Sequence, residues 1–161
     1  MPVTHVTHDL DSRTLTIVAD FAAPVERVWQ VYADAAQLAQ VWGPPTYPAT
    51  FVRHELTPGG EMHYFMTSPE GERFYGLWRV LTVDEPHQFT FEDAFADENF
   101  AVAETLPVSH NTYAFAEHEG GTRATYTGVY PSAEALQQVL EMGMVEGATL
   151  SLNQIDALLA G

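Results

Sequence analysis

Residues 132–161 read SAEALQQVLEMGMVEGATLSLNQIDALLAG, and no proline follows Pro131 to interrupt them. Ser132 is placed to cap the free amides of a first helical turn, and Glu134 puts a carboxylate where the helix dipole favours one. At about 100° per residue, Leu136, Val139, Leu140, Gly143, Gly147, Leu150, Ala157 and Leu158 share a face that also holds Gln154. Met144, Ala148, Leu152, Ile155 and Leu159 form a second apolar sector beside it. The spacing therefore predicts one long C-terminal helix, running to Gly161 and covered on more than one flank. Gly143 and Gly147 are costly inside such a helix, at about 1 kcal/mol each relative to alanine. Either a neighbouring backbone packs close to them, or the missing side chains leave room for a ligand. A membrane-embedded G-x-x-x-G contact is ruled out by Glu141, Glu146 and Asn153 in the same segment.

A helix of this kind needs a partner surface, and the preceding sequence supplies strands. Thr14 to Phe21 alternates apolar and polar residues and is rich in β-branched side chains. Pro24 opens a short helix with Val25, Val28, Trp29 and Tyr32 along one side, and a second covers Ala35 to Val41 until Trp42-Gly43-Pro44-Pro45 stops it. Period two then takes over. Ala49 to Leu56, Glu61 to Thr67, Arg73 to Val83 and His87 to Phe91 read as strands, joined by turns at Pro58-Gly59-Gly60, Ser68 to Glu72 and Asp84-Glu85-Pro86. Met62, Tyr64 and Met66 share a face, as do Phe89 and Phe91. One bulge in Arg73 to Val83 would exchange Trp78 and Arg79 for their neighbours, so alternation alone leaves the inward face of that strand open. Glu92 to Pro107 is irregular and acidic and reads as a mobile loop or lid edge. Thr112 to Glu117 and Thr122 to Tyr130 close the series as a hairpin. Segregated strands and helices define an α+β fold: a curved antiparallel β-sheet wrapped around the long terminal helix, with two short helices after the first strand.

With 161 residues, 46% of them hydrophobic, the chain is expected to form a single domain over 1–161 with a full core. No run of about eighteen apolar residues is present, and Met1 to His5 lacks a basic region followed by an apolar one, so neither a membrane span nor a signal peptide is expected and the location reads as cytoplasmic. The absence of cysteine excludes disulfides, thiol nucleophiles and thiolate metal sites. A formal charge of −16, with no lysine at all, disfavours both nucleic acid and anionic membrane as partners. Seven histidines show no metal-ligand spacing, so no metal and no other cofactor is expected.

Several local motifs, in order, resemble those of the SRPBCC or START-like superfamily. They are Pro24-Val25-Glu26-Arg27-Val28-Trp29, Trp42-Gly43-Pro44, Pro58-Gly59-Gly60 before an aromatic strand ending in Met66, Gly71 and Gly76. Val83-Asp84-Glu85-Pro86 before Phe89-Thr90-Phe91-Glu92, and Met142-Gly143-Met144-Val145-Glu146-Gly147, complete the set. Within that superfamily the chain is most similar to the family named for activators of heat-shock-protein-90 ATPase, across Thr14 to Leu159. The resemblance implies a helix-grip fold with a ligand cavity between sheet and helix. It carries an activity less well, because the eukaryotic chaperone activators bear an additional N-terminal domain.

The expected function is binding of a small apolar or aromatic molecule. Its candidate ligand-binding residues are Trp42, Tyr64, Met66, Trp78, Phe91, Tyr113, Gly143, Gly147 and Gln154, with no catalytic residue assigned. The packed alternative has the glycines simply admitting bulky aromatics. An enzyme reading, as a cyclase, dehydratase or hydrolase on a hydrophobic substrate, would draw acid and base from His63, Glu92, Asp93 and His110. It requires at least two of them to converge in the cavity, whereas His63 reads first as a surface strand residue and Glu92-Asp93 as a solvated acidic edge. A third reading is an interaction module in chaperone or stress-response control. Met142 and Met144 offer adaptable surface for a pocket mouth or a homodimer face, and the carboxylates from Asp93 to Glu104 favour a cationic ligand near the entrance.

Overall fold

The chain runs β1 (Val3–Asp9), β2 (Thr14–Phe21), α1 (Val25–Ala33), α2 (Ala35–Val41), β3 (Ala49–His54), β4 (Glu61–Thr67), β5 (Arg73–Asp84), β6 (Gln88–Ala96), β7 (Ser109–His118), β8 (Gly121–Val129), α3 (Ala133–Glu141) and α4 (Met144–Ala160). The computed structural model describes residues 2–160, so the helix end expected at Gly161 falls outside the described residues. The strands form one antiparallel sheet in the order β1-β2-β8-β7-β6-β5-β4-β3.

Side-chain parity sets the inner face. Alternate residues of β2 (Leu15, Ile17, Ala19, Phe21) and of β8 (Thr122, Ala124, Tyr126, Gly128) are buried, as period two requires. Ile17, Ala19, Phe21, Ala124 and Tyr126 pack in one core with Val25, Val28, Trp29, Val31 and Tyr32 of α1, while Leu15 packs with Leu136 and Val139 of α3. In β5, Trp78 is fully buried and Arg79 exposed. The register shift falls between Val80 and Thr82, beyond the tryptophan, which settles the inward face of that strand.

Three elements differ from the sequence expectation. β1 carries the sequence VTHVTHD and is exposed along almost its whole length, so it has no apolar alternation to reveal it; pairing with β2 holds it. Glu92 to Ala96 continues β6 instead of opening a loop, and beyond it Asp97 Oδ1 accepts the amides of Asn99 and Ala101 at 2.8 and 3.0 Å.

The C-terminal stretch is two helices, not one. Ser132 Oγ accepts the Ala135 amide at 3.0 Å and caps α3 as expected. α3 then stops at Gly143, which has φ +85° and donates its N–H to the Leu140 carbonyl at 3.2 Å. Glycine reaches this left-handed conformation without steric cost, so Gly143 terminates a helix where the sequence suggested an internal anomaly. The stop also resets the helical phase. α4 buries Leu152 and Ile155, from the second apolar sector, and leaves Leu150 47% exposed.

Candidate functional site

α4 is fastened to the loop that follows α2. Ser151 Oγ donates to the Trp42 carbonyl at 2.9 Å, and Gln154 Nε2 donates to the Gly43 carbonyl. Between these C-terminal helices and the sheet lies a cavity of about 360 Å³. Tyr64 and Met66 reach it from β4, Asp93 from β6, Ser109, Asn111 and Tyr113 from β7, and Tyr126 from β8; Gly147, Ala148 and Ser151 close it from α4.

Of the nine candidates, Trp42, Tyr64, Met66, Tyr113, Gly143 and Gly147 line this cavity. Trp78 and Phe91 do not reach it: their rings stack at 4.0 Å, fully buried, as a layer of the packed core. Gln154 is committed to its bond with Gly43. A Cβ added at Gly147 would meet only Pro44 Cγ, at an ordinary 3.8 Å. Close backbone packing therefore does not require that glycine.

Tyr64 owes its position to a different glycine. Gly76 stands opposite it in the β4–β5 pair, and a Cβ there would collide with the phenol ring and its hydroxyl. The ring can thus lie across β5, and its O–H donates to Asp93 Oδ1 at 3.2 Å. Asp93 pairs in register with Trp78 on one side and Ser109 on the other, both buried, so its side chain is carried inward. This corrects the solvated-edge expectation for Asp93. The signal was available in the parity of Phe89, Phe91 and Asp93.

The electrostatics of the site follow from that burial. Desolvation pushes the Asp93 carboxyl up to about 7, against the opposing pull of the Tyr64 hydrogen bond. Burial also raises the Tyr64 and Tyr113 phenols well above their ordinary value, and the nearby Asp93 charge adds to both shifts. Burial likewise brings Tyr130 to about 12. The cavity-lining indole of Trp42 acts on the Tyr64 oxygen, yet its Nε1–H has no acceptor in hydrogen-bonding geometry. The site thus combines aromatic walls, a buried indole donor and a carboxyl that changes charge near neutral pH.

The other proposed acid and base groups lie elsewhere. His63, between inward Met62 and Tyr64, points to the outer face, where its Nε2 and Glu61 Oε1 are 2.7 Å apart and its ring stacks on Phe100 at 4.6 Å. Glu92 and His110 face each other across the β6–β7 pair with parity opposite to Asp93. Only Asp93 of the four enters the cavity. Sequence reasoning did not single out Tyr126 and Tyr130 as cavity residues, nor Ser109 and Asn111, because each becomes a wall only when β7 and β8 are set beside β6.

A curved antiparallel sheet closed by C-terminal helices around an internal, largely apolar cavity defines a helix-grip protein. The family model described as Activator of Hsp90 ATPase homolog 1-like protein matches residues 22–160, and the chain belongs to that family. Among solved structures, protein Ms6760 from Mycobacterium smegmatis is 64% identical, with 98% of this chain and 97% of that chain covered and a TM-score of 0.92. A protein from Arthrobacter aurescens is 42% identical over 98% of this chain and 92% of that one, with a TM-score of 0.94. One from Staphylococcus epidermidis is 27% identical over 98% and 94%, with a TM-score of 0.85. No functionally curated protein matches the chain. Among the described residues no helix is long and apolar enough to cross a membrane.

Proposed function

We propose that the chain is a binding module for a small hydrophobic or aromatic molecule held between the sheet and α4. The observation that carries this reading is the cavity itself: about 360 Å³, lined mainly by aromatic and aliphatic side chains, within the ~300–1,000 Å³ common for small-molecule sites. Membership of a family with a ligand-binding fold supports it. In this reading Trp42, Tyr64, Met66 and Tyr113 contact the ligand, and Gly143 and Gly147 keep the helical wall low. Trp78 and Phe91 stiffen the sheet behind, and Gln154 fixes the position of α4.

Binding is favoured over the acid–base enzyme because only one of the four groups that chemistry would draw on, Asp93, faces the cavity. The test is a thermal-shift screen combined with native mass spectrometry against lipids, polyketides and small aromatics. One-to-one adducts with a raised Tm are expected from at least one class. Silence from every class would contradict the reading.

A further inference from the structure

We propose that Asp93 anchors a cationic group, so that the ligand class is an apolar or aromatic amine whose ammonium end sits at the Tyr64 side of the cavity. The inference rests on the binding reading above and adds the charge of the ligand to it. Among the residues lining the cavity, Asp93 alone carries a formal charge, and no arginine or histidine is among them. Its Oδ1 accepts from Tyr64, whereas Oδ2 has no hydrogen-bond donor among the described residues. The groups that act on it or pair with it are Tyr64 from β4, Ser109 and Tyr113 from β7 and Tyr130 after β8, and none is basic; Gly147, Ala148 and Ser151, which α4 contributes to the cavity, are uncharged.

An ionised carboxylate in such a place lacks its compensating charge, which an incoming ammonium would supply. The aromatic rings of Trp42, Tyr64 and Tyr113 line the same cavity, where a bound cation can meet their π systems. A carboxylate ligand would meet the opposite situation, since Asp93 would repel it and nothing basic would receive it. The formal charge of −16 on the whole chain biases the approach in the same direction.

The test is a matched pair of probes, 2-naphthylmethylamine and its neutral counterpart 2-naphthylmethanol, titrated calorimetrically into the intact protein at pH 8 and pH 5.5. The amine is expected to bind about tenfold tighter than the alcohol at pH 8, the size of a desolvated ion pair with aromatic support. That preference should shrink at pH 5.5, where Asp93 is protonated while the amine remains charged. Asp93→Asn should abolish the preference, so that amine and alcohol bind with equal affinity within the variant. Equal affinities in the wild-type protein, or a preference that survives Asp93→Asn, would overturn the anchor while leaving cavity binding intact. If neither probe binds, the anchor for an aromatic amine is overturned, while the binding reading is decided by the wider ligand screen. In the wild-type protein alone the comparison of pH 8 with pH 5.5 serves as the second arm, since an amine preference unchanged at pH 5.5 would also overturn the anchor; a folding defect in Asp93→Asn would therefore not leave it untested.

Discussion

The two helices that cover the inner face of the sheet present different side chains to it. α1 sends Trp29 and Tyr32 onto Phe89 and Phe115, with Trp29–Phe89 at 5.6 Å and Tyr32–Phe115 at 5.5 Å, and all four rings are buried. α4 presents Gly147, Ala148 and Ser151 opposite Tyr113 and Tyr126, and the space between is the cavity. The aromatic sheet continues beneath both helices. What differs is the volume that each helix supplies. Tyr32 marks the boundary: its ring belongs to the packed half, while its hydroxyl lies 2.8 Å from that of Tyr126 at the cavity wall. Small residues on a helix therefore determine where this fold stays open as much as large residues on the sheet determine where it closes.

Truncation on each side of that boundary should have unequal effects. Trp29→Ala is expected to cost about 3–5 kcal/mol in urea unfolding, because it empties a filled volume. Met66→Ala, at a half-buried position that already borders the cavity, should cost about 1 kcal/mol by the transfer of a few methylenes. Similar losses at the two sites would remove the contrast.

The next largest effect concerns Asp93, and its sign is unusual for a carboxylate. The folded protein holds this proton up to about pH 7, whereas the unfolded chain releases it near the ordinary value of 3.8. Protonation thus favours the folded state, so the Asp93 contribution is complete below about pH 4 and is lost as pH rises through 4 to 7, at up to about 1.4 kcal/mol per unit. Asp93→Asn should raise stability at pH 8 by about 2–4 kcal/mol and flatten the pH profile across that window. Unfolding curves at pH 4, 6 and 8 measure both. A loss of stability at pH 8 would show that the carboxylate is better solvated than its burial implies.

The two glycines should separate in sign. Gly143→Ala places a side chain at φ +85° and is expected to cost about 1–2 kcal/mol, with Gly143→Asn milder. Gly147→Ala lies inside α4 with only Pro44 Cγ nearby, and should gain about 0.5–1 kcal/mol from helix propensity. Thermal unfolding of the two variants checks this. A loss at Gly147 comparable to that at Gly143 would mean that both positions serve backbone geometry.

Most strands, both short helices and the Ser132 cap were legible because their signals are local: period-two burial, a proline at a helix start, a hydroxyl before a first turn. β1 was not, since an edge strand with both faces in water has nothing to alternate. The break between α3 and α4 is not legible, because Gly143 has the same place on a helical wheel whether it lies inside a helix or ends one. Only its φ separates the two cases. For the site, the aromatic candidates were readable by parity, but depth was not. Trp78 and Phe91 share the inner face with Tyr64 and yet belong to the packed layer, a distinction that depends on how low α4 sits. Asp93 is readable in principle from the parity of Phe89 and Phe91; the successive carboxylates Glu92 and Asp93 hide it, because adjacent strand residues point apart and alternation does not say which of the two turns inward.

Three indole N–H resonances sample the two halves: Trp42 lines the cavity, Trp78 lies in the layer behind it, and Trp29 projects from α1 into the packed half. Titration of the labelled protein with 2-naphthylmethanol, followed through these signals, addresses the central claim most directly. Saturable shifts largest at Trp42, smaller at Trp78 and negligible at Trp29 are predicted. An unmoved Trp42 signal in the presence of bound probe, or shifts centred on Trp29, would contradict a ligand site beneath α4.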